Sequence, residues 1–143
     1  MGQPSTCENE SGEVQGRQRA DESKVKLSLE MRASGEVIVL HCEGRIVYGE
    51  EAAALSRVVA EALRRAQEVV LDLEGVESID SAGLGELVLA LLLAKEQDKS
   101  LKLAGVKPRV RDLFDLTRLS SVFEICPSVE EALVRGERLT FLN

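Results

Sequence analysis

The sequence predicts an α/β fold built on a mostly parallel sheet, on three observations. Short apolar runs rich in β-branched residues alternate with helical periodicities in the order β-β-α-β-α-β-α-β-α, which implies parallel strands joined by right-handed crossovers. A length of 143 residues suits one domain with a single core. At the centre lies the stretch 69–94, VVLDLEGVESIDSAGLGELVLALLLA, where a strand passes through a short polar turn into a helix.

Residues 1–23 carry Gly, Ser, Gln, Asn and Pro without periodicity, and Glu8, Glu10, Glu13, Asp21 and Glu22 against Arg17 and Arg19 contribute −3 of the formal −7. Such a segment buries too little apolar surface to offset its chain entropy, so a disordered N-terminal tail is expected. From Lys24 the pattern changes. Val25, Leu27, Leu29 and Met31 alternate with Lys26, Ser28, Glu30 and Arg32, as in a strand with one wet face. Ala33-Ser34-Gly35 supplies a turn, and the continuous apolar run Val37–Leu40 reads as an interior strand paired with the first in an antiparallel hairpin.

Gly49 to Ala66 is helical, with Ala52, Leu55, Val59, Ala62, Leu63 and Ala66 on one stripe. Its acids lie at the start and its arginines at the end, as the helix dipole favours. Val69–Leu73 is too short for a core helix and reads as a buried strand. Leu84, Leu87, Val88, Leu91 and Ala94 then recur at helical spacing. Between them, either Asp80 or Ser81 is the natural N-cap, because a short side-chain oxygen there accepts from the helix's unpaired N–H groups. Gly83 and Gly85 would let a backbone approach closely. Leu101–Ala104 is the next strand. Pro108 opens a helix with Val110, Leu113, Phe114 and Thr117 facing inward, and Arg109, Arg111 and Arg118 form its basic face. Val122–Cys126 is a fifth strand, Ser128-Val129-Glu130-Glu131 is a capping box, and Gly136 ends the short helix it starts. In the C-terminal tail 137–143, Leu139-Thr140-Phe141-Leu142 is apolar enough to pack against the body.

Bulk properties exclude several classes. With 25 acidic against 18 basic residues, the surface suits neither nucleic acid nor an anionic membrane. Cys7, Cys42 and Cys126 show no CxxC pairing, and no signal peptide is apparent, which points to a reducing, cytoplasmic setting with idle thiols. One histidine, His41, without a ligand cluster argues against a metal site, and no cofactor motif is present. Leu87–Ala94 is far short of the roughly 20 residues that span a bilayer. No GxSxG accompanies Ser81, and His41 would be the sole base, so no enzyme is expected.

The string IDSAGLGEL, preceded by VVLDLEGV and followed by SLKLAGVKPRVRDLFDLTRL and a VFEIC strand, resembles the STAS domain shared by sulphate transporters and bacterial anti-sigma factor antagonists. The resemblance covers residues 24–136. It implies a STAS-like fold, a small mixed, mostly parallel sheet of about five strands with helices packed mainly on one side. It also implies an anti-sigma factor antagonist. Ser81 would be phosphorylated by a partner anti-sigma factor that is a serine kinase. The unphosphorylated form would sequester that kinase and free a sigma factor, and a serine phosphatase would reverse the modification. The expected partner-binding residues are Asp80, Ser81, Ala82, Gly83, Leu84, Gly85, Arg45 and Tyr48, with Asp80 and Glu86 flanking the phosphate. One position departs from the family pattern: many antagonists carry Gly-x-Leu-Asp after the second strand, where this chain reads Gly44-Arg45-Ile46-Val47-Tyr48. That departure motivates an alternative, a scaffold or accessory STAS subunit of a stress-signalling or lipid-transport complex.

Overall fold

A computed structural model describes residues 27–134. The expectations for the tail 1–23, for Lys24–Lys26, for the stop at Gly136 and for the tail 137–143 lie outside the described residues.

A five-stranded sheet runs in chain order: β1 (Leu27–Ser34), β2 (Val37–Ile46), β3 (Glu68–Ile79), β4 (Ser100–Ala104) and β5 (Glu124–Cys126). Only β1–β2 is antiparallel; the other neighbours are parallel. Helices α1 (Glu50–Arg65), α2 (Ser81–Glu96) and α3 (Pro108–Leu116) connect the parallel pairs. Right-handed crossovers between strands laid down in order put every connecting helix on the same face. One core accordingly gathers Leu55, Val59 and Leu63 of α1, Leu84, Leu87 and Leu91 of α2, and Val110 and Phe114 of α3 against Leu40, Leu71 and Leu103. The other face is covered over Val39, Val70, Ala104 and Cys126 by Ala132 of a helical segment at 129–134. The fold expected from the resemblance is the one found.

Local differences have local causes. The hairpin turns at Gly35-Glu36, and Ala33 and Ser34 stay in register opposite Ile38 and Val37. Strand β1 keeps the expected alternation, with Leu27, Leu29 and Met31 half-buried and Ser28, Glu30 and Arg32 exposed. Strand β2 continues past Leu40 to Ile46 because β3 pairs it along its whole length. Thr117 does not face inward: it follows α3, and its hydroxyl donates to the carbonyls of Leu113 (2.9 Å) and Phe114 (3.2 Å), closing the helix end. Leu119–Ser121 forms a 3-10 turn, and β5 begins only at Glu124. Half of the capping box is made, with the Glu131 N–H donating to Ser128 Oγ at 3.2 Å.

Candidate functional site: the corner at Asp80

Strand β3 pairs with β2 through two register slips, one after His41 and one after Gly44. Between the pairs His41–Asp72 and Ile46–Ile79, β3 uses two more residues than β2. Each extra residue shifts the side-chain phase by one and bends the strand. Leu73, Val76 and Ile79 therefore face the core at a spacing of three, which strict alternation would forbid. The bent strand delivers Asp80 beside the end of β2, where its N–H donates to the Ile46 carbonyl at 3.3 Å.

Asp80 is the N-cap of α2. Its Oδ1 accepts from the Gly83 N–H at 2.9 Å and its Oδ2 from the Tyr48 N–H at 3.0 Å. One carboxylate thus caps a helix and holds the β2–α1 loop. Donors aimed at the ionised form favour it, and the Tyr48 amide, followed by that of Gly83, pulls this carboxyl below the ordinary aspartate range. Gly49 enters α1 with φ 114, a backbone that side chains rarely adopt, and so lets the loop turn immediately after Tyr48.

Gly83 is where the two elements meet most closely. A Cβ there would lie 2.2 Å from the Ile46 carbonyl oxygen and 2.8 Å from its Cγ2. Close approach therefore explains this glycine. It does not explain Gly85, where an added Cβ would meet nothing within 4 Å and which is exposed.

Since Asp80 supplies the cap, Ser81 is the first residue of α2, exposed and outside the capping bond. A hydroxyl at this place lies at the positive end of the helix dipole beside unpaired amides. Tyr48, tied to Asp80 through its backbone, is 82% exposed. Ala82 is half-buried, whereas Gly83 and Leu84 are buried. Those two support the corner from within, Leu84 with 6% of its surface exposed. Arg45 is exposed but belongs to β2 rather than to a loop. Alternation places it with His41 and Glu43 on the sheet face away from α2.

Other polar groups lie elsewhere. His41 Nδ1 and Asp72 Oδ2 are 2.7 Å apart on that second face, beside a shallow polar depression lined by Glu30, Arg32, Glu43 and Glu74. Cys42 points into the core, and burial, with Asp72 adding to it, pushes its thiol up to about 12. Lys102, almost fully buried, lies 2.8 Å from Glu68 Oε2. Arg109, Arg111 and Arg118 are exposed, and Arg111 reaches Asp115 at 3.5 Å. Among the described residues no group of three His, Cys, Asp or Glu could hold a metal ion, and no helix is long and apolar enough to cross a membrane. Sequence reasoning missed the His41–Asp72 contact, which follows only from strand register. It also missed the exposure of Leu89 and Leu92 on α2, whose signal was the lack of a polar face there.

Comparison with known proteins gives the same frame. The family model described as STAS domain matches residues 28–132. An anti-sigma-B factor antagonist of Staphylococcus aureus is 33% identical over 64 residues, which is 45% of this chain and 59% of that protein. The chain thus spans less than two thirds of the relative's length. Among solved structures, the Bacillus cell fate determinant SpoIIAA in its phosphorylated form superposes with a TM-score of 0.60 at 16% identity, covering 76% of this chain and 98% of that one. A sulfate transporter family protein from Wolinella succinogenes gives 0.66 at 18% identity, covering 76% and 91%.

Proposed function

The chain belongs to the STAS domain family, and from that premise we propose that it is an anti-sigma factor antagonist, a binding switch controlled by phosphorylation of Ser81. Unphosphorylated, it binds an anti-sigma factor that is also a serine kinase and thereby frees a sigma factor. Phosphorylated, it lets that partner go until a serine phosphatase restores it. Its action is binding rather than catalysis.

The observation that carries this reading is the division of labour at the helix start. Asp80 makes the cap, so the exposed Ser81 hydroxyl has no structural task there to lose. A phosphate on Ser81 would add about −1.5 to −2 charges at neutral pH. At a helix N-terminus that charge is favoured by roughly 0.3–1 kcal/mol, so the domain itself has little reason to move. The nearby Asp80 carboxylate works against the phosphate and adds to the negative potential a partner would meet. Docked against a partner without a countercharge, the same phosphate would cost on the order of 2–5 kcal/mol. That corresponds to roughly a 30-fold to several-thousand-fold loss of affinity. Curated relatives bearing the antagonist description support the class of function, and a phosphorylated form of SpoIIAA supports the chemistry.

The contact surface proposed comprises Ser81, Ala82, Gly85, Asp80 and Tyr48, and Arg45 joins it where the partner also reaches round to the other sheet face. Affinity capture with wild-type, Ser81→Ala and Ser81→Asp baits, joined to intact-mass analysis after incubation with the kinase and ATP, tests the reading. Ser81→Ala should retain the partner and Ser81→Asp should lose it by at least tenfold, with one phosphate added at Ser81 of the wild type. Equal binding by the two variants, or a phosphate elsewhere, refutes it.

A second reading follows from the exposed Tyr48 and from Arg45 in a stretch that lacks the family's Leu-Asp. As a scaffold or accessory STAS subunit of a stress-signalling or lipid-transport complex, the chain would recover scaffold or transporter subunits and no kinase.

A further inference from the structure

Strand β1 is an edge strand of eight residues, LSLEMRAS, and no described strand pairs with its outer side. Long open edges invite pairing with other chains, and proteins usually blunt them with lysine, proline, a bulge or brevity. The other edge, β5, is only three residues long. Strand β1 has no lysine or proline, and its register with β2 runs from Leu27 to Ser34 without a slip. Residues 1–23 hold no run of alternating apolar residues that would pair along it.

The hairpin fixes which backbone groups of β1 are left over. Gly35, at φ 65, opens a two-residue loop with Glu36, so Ser34 and Val37 close the hairpin as a hydrogen-bonded pair. Bonding alternates from there. Ser28, Glu30 and Arg32 therefore bond to β2, while the N–H and C=O groups of Leu27, Leu29, Met31 and Ala33 point off the edge. Side chains alternate as well. Ser28, Glu30, Arg32 and Ser34 are exposed on the polar face, with Arg32 Nη2 3.0 Å from Glu30 Oε2. Leu27, Leu29 and Met31 lie half-buried against the main core.

We infer that β1 pairs antiparallel with β1 of a second copy of this chain, about a two-fold axis at Met31, to give one continuous sheet. The stretch is its own complement. With Met31 opposite Met31 of the second copy, Glu30 faces Arg32, Leu29 faces Ala33 and Ser28 faces Ser34. The outward backbone groups of Leu29, Met31 and Ala33 then meet as hydrogen-bonded pairs. The charged residues fall at the intervening positions, where facing side chains come closest. Each Glu30 carboxylate gains a guanidinium from the second copy beside the one its own chain supplies. Sliding one copy by two residues either way sets Glu30 against Glu30 or Arg32 against Arg32, so charge selects a single alignment.

The helices leave room for this pairing. Helix α1 rests chiefly on β2. Three strand spacings, roughly 14 Å, would separate it from its copy, and a helix is about 10–12 Å across. Leu29 and Met31 would occupy the slot between the two. Arg65, whose guanidinium lies 3.9 Å from Met31 Sδ, comes near the axis accompanied by Glu61 at 2.9 Å. Helix α2 packs beside α1 over β3 and β4, away from this edge. Ser81 would stay open in both copies, so the pairing is independent of the proposed switch.

Sedimentation of the full chain, read alongside thermal midpoints, tests the pairing. Wild type should dimerise as concentration rises. Glu30→Arg and Arg32→Glu each set like charges face to face and should weaken the dimer about tenfold or more. Both positions are exposed, so midpoints of dilute protein should stay near wild type. An equimolar mixture of the two variants is complementary again and should form a heterodimer, and Glu30→Arg/Arg32→Glu in one chain should recover self-association. A wild-type chain that stays monomeric overturns the pairing. So does a dimer that neither reversal weakens, or one that mixing the two variants fails to restore.

Discussion

At the scale of single residues, the corner depends on atoms whose work can be separated. Asp80 joins α2 to the β2–α1 loop through two amides, so Asp80→Ala should cost about 1–2 kcal/mol from the lost cap and the orphaned Tyr48 amide. Its lowered folded-state pKa also sets a sign. The stabilisation is fully present above the unfolded value, near 3.9, and is lost as pH falls through the lower folded value. Urea titrations from pH 7 down to pH 2 should show Asp80→Asn losing less stability over that acid window than wild type. Gly83→Ala forces a methyl against the Ile46 carbonyl and should cost about 1–3 kcal/mol. A thermal melt reads this directly: a wild-type midpoint for Gly83→Ala would refute the close approach. In the sequence the two glycines of the motif look alike. The structure separates them, because close approach is a property of what lies opposite.

At the scale of elements, composition and period identified most helices and strands, and failed where tertiary pairing interferes. The α1 stripe of Ala52, Leu55, Val59, Ala62, Leu63 and Ala66 is buried as its spacing requires. The second half of β3 was not legible, since two bulges break the period of two that marks a strand and leave Val76 and Ile79 at a spacing of three. The helical spacing of Leu84, Leu87, Val88, Leu91 and Ala94 marked the inward side of α2, and what its apolar composition hid was that Leu89 and Leu92 face out. Leu84, Leu87, Leu91 and Ala94 of that stripe are buried. Leu87→Ala should therefore cost about 2–5 kcal/mol, while Leu92→Ala should leave chemical-denaturation midpoints nearly unchanged. Similar losses at both positions would contradict the orientation of the helix.

At the scale of the whole molecule, strands laid down in order collect the three crossover helices on one face and leave the other to the segment at 129–134. Cys42 and Cys126 lie on opposite sides of the sheet, one in each core. Both are buried, and the Cys42 thiol is held up to about 12. In a Cys7→Ser background, neither thiol should react with a maleimide faster than the protein unfolds globally. Labelling that outruns global unfolding would mean the sheet opens locally. The sequence by itself determined the order of strands and helices, the family, and the strand-to-helix motif with Ser81 in it, because these depend on local period, capping chemistry and short-range patterning. Only the tertiary structure decided that Asp80 rather than Ser81 makes the cap, that Gly83 lies against the Ile46 carbonyl, and that Leu89 and Leu92 face out. Those outcomes depend on which atoms of distant segments meet, such as the Ile46 carbonyl and the Tyr48 amide at the start of α2, and contacts between distant segments leave no periodic trace along the chain.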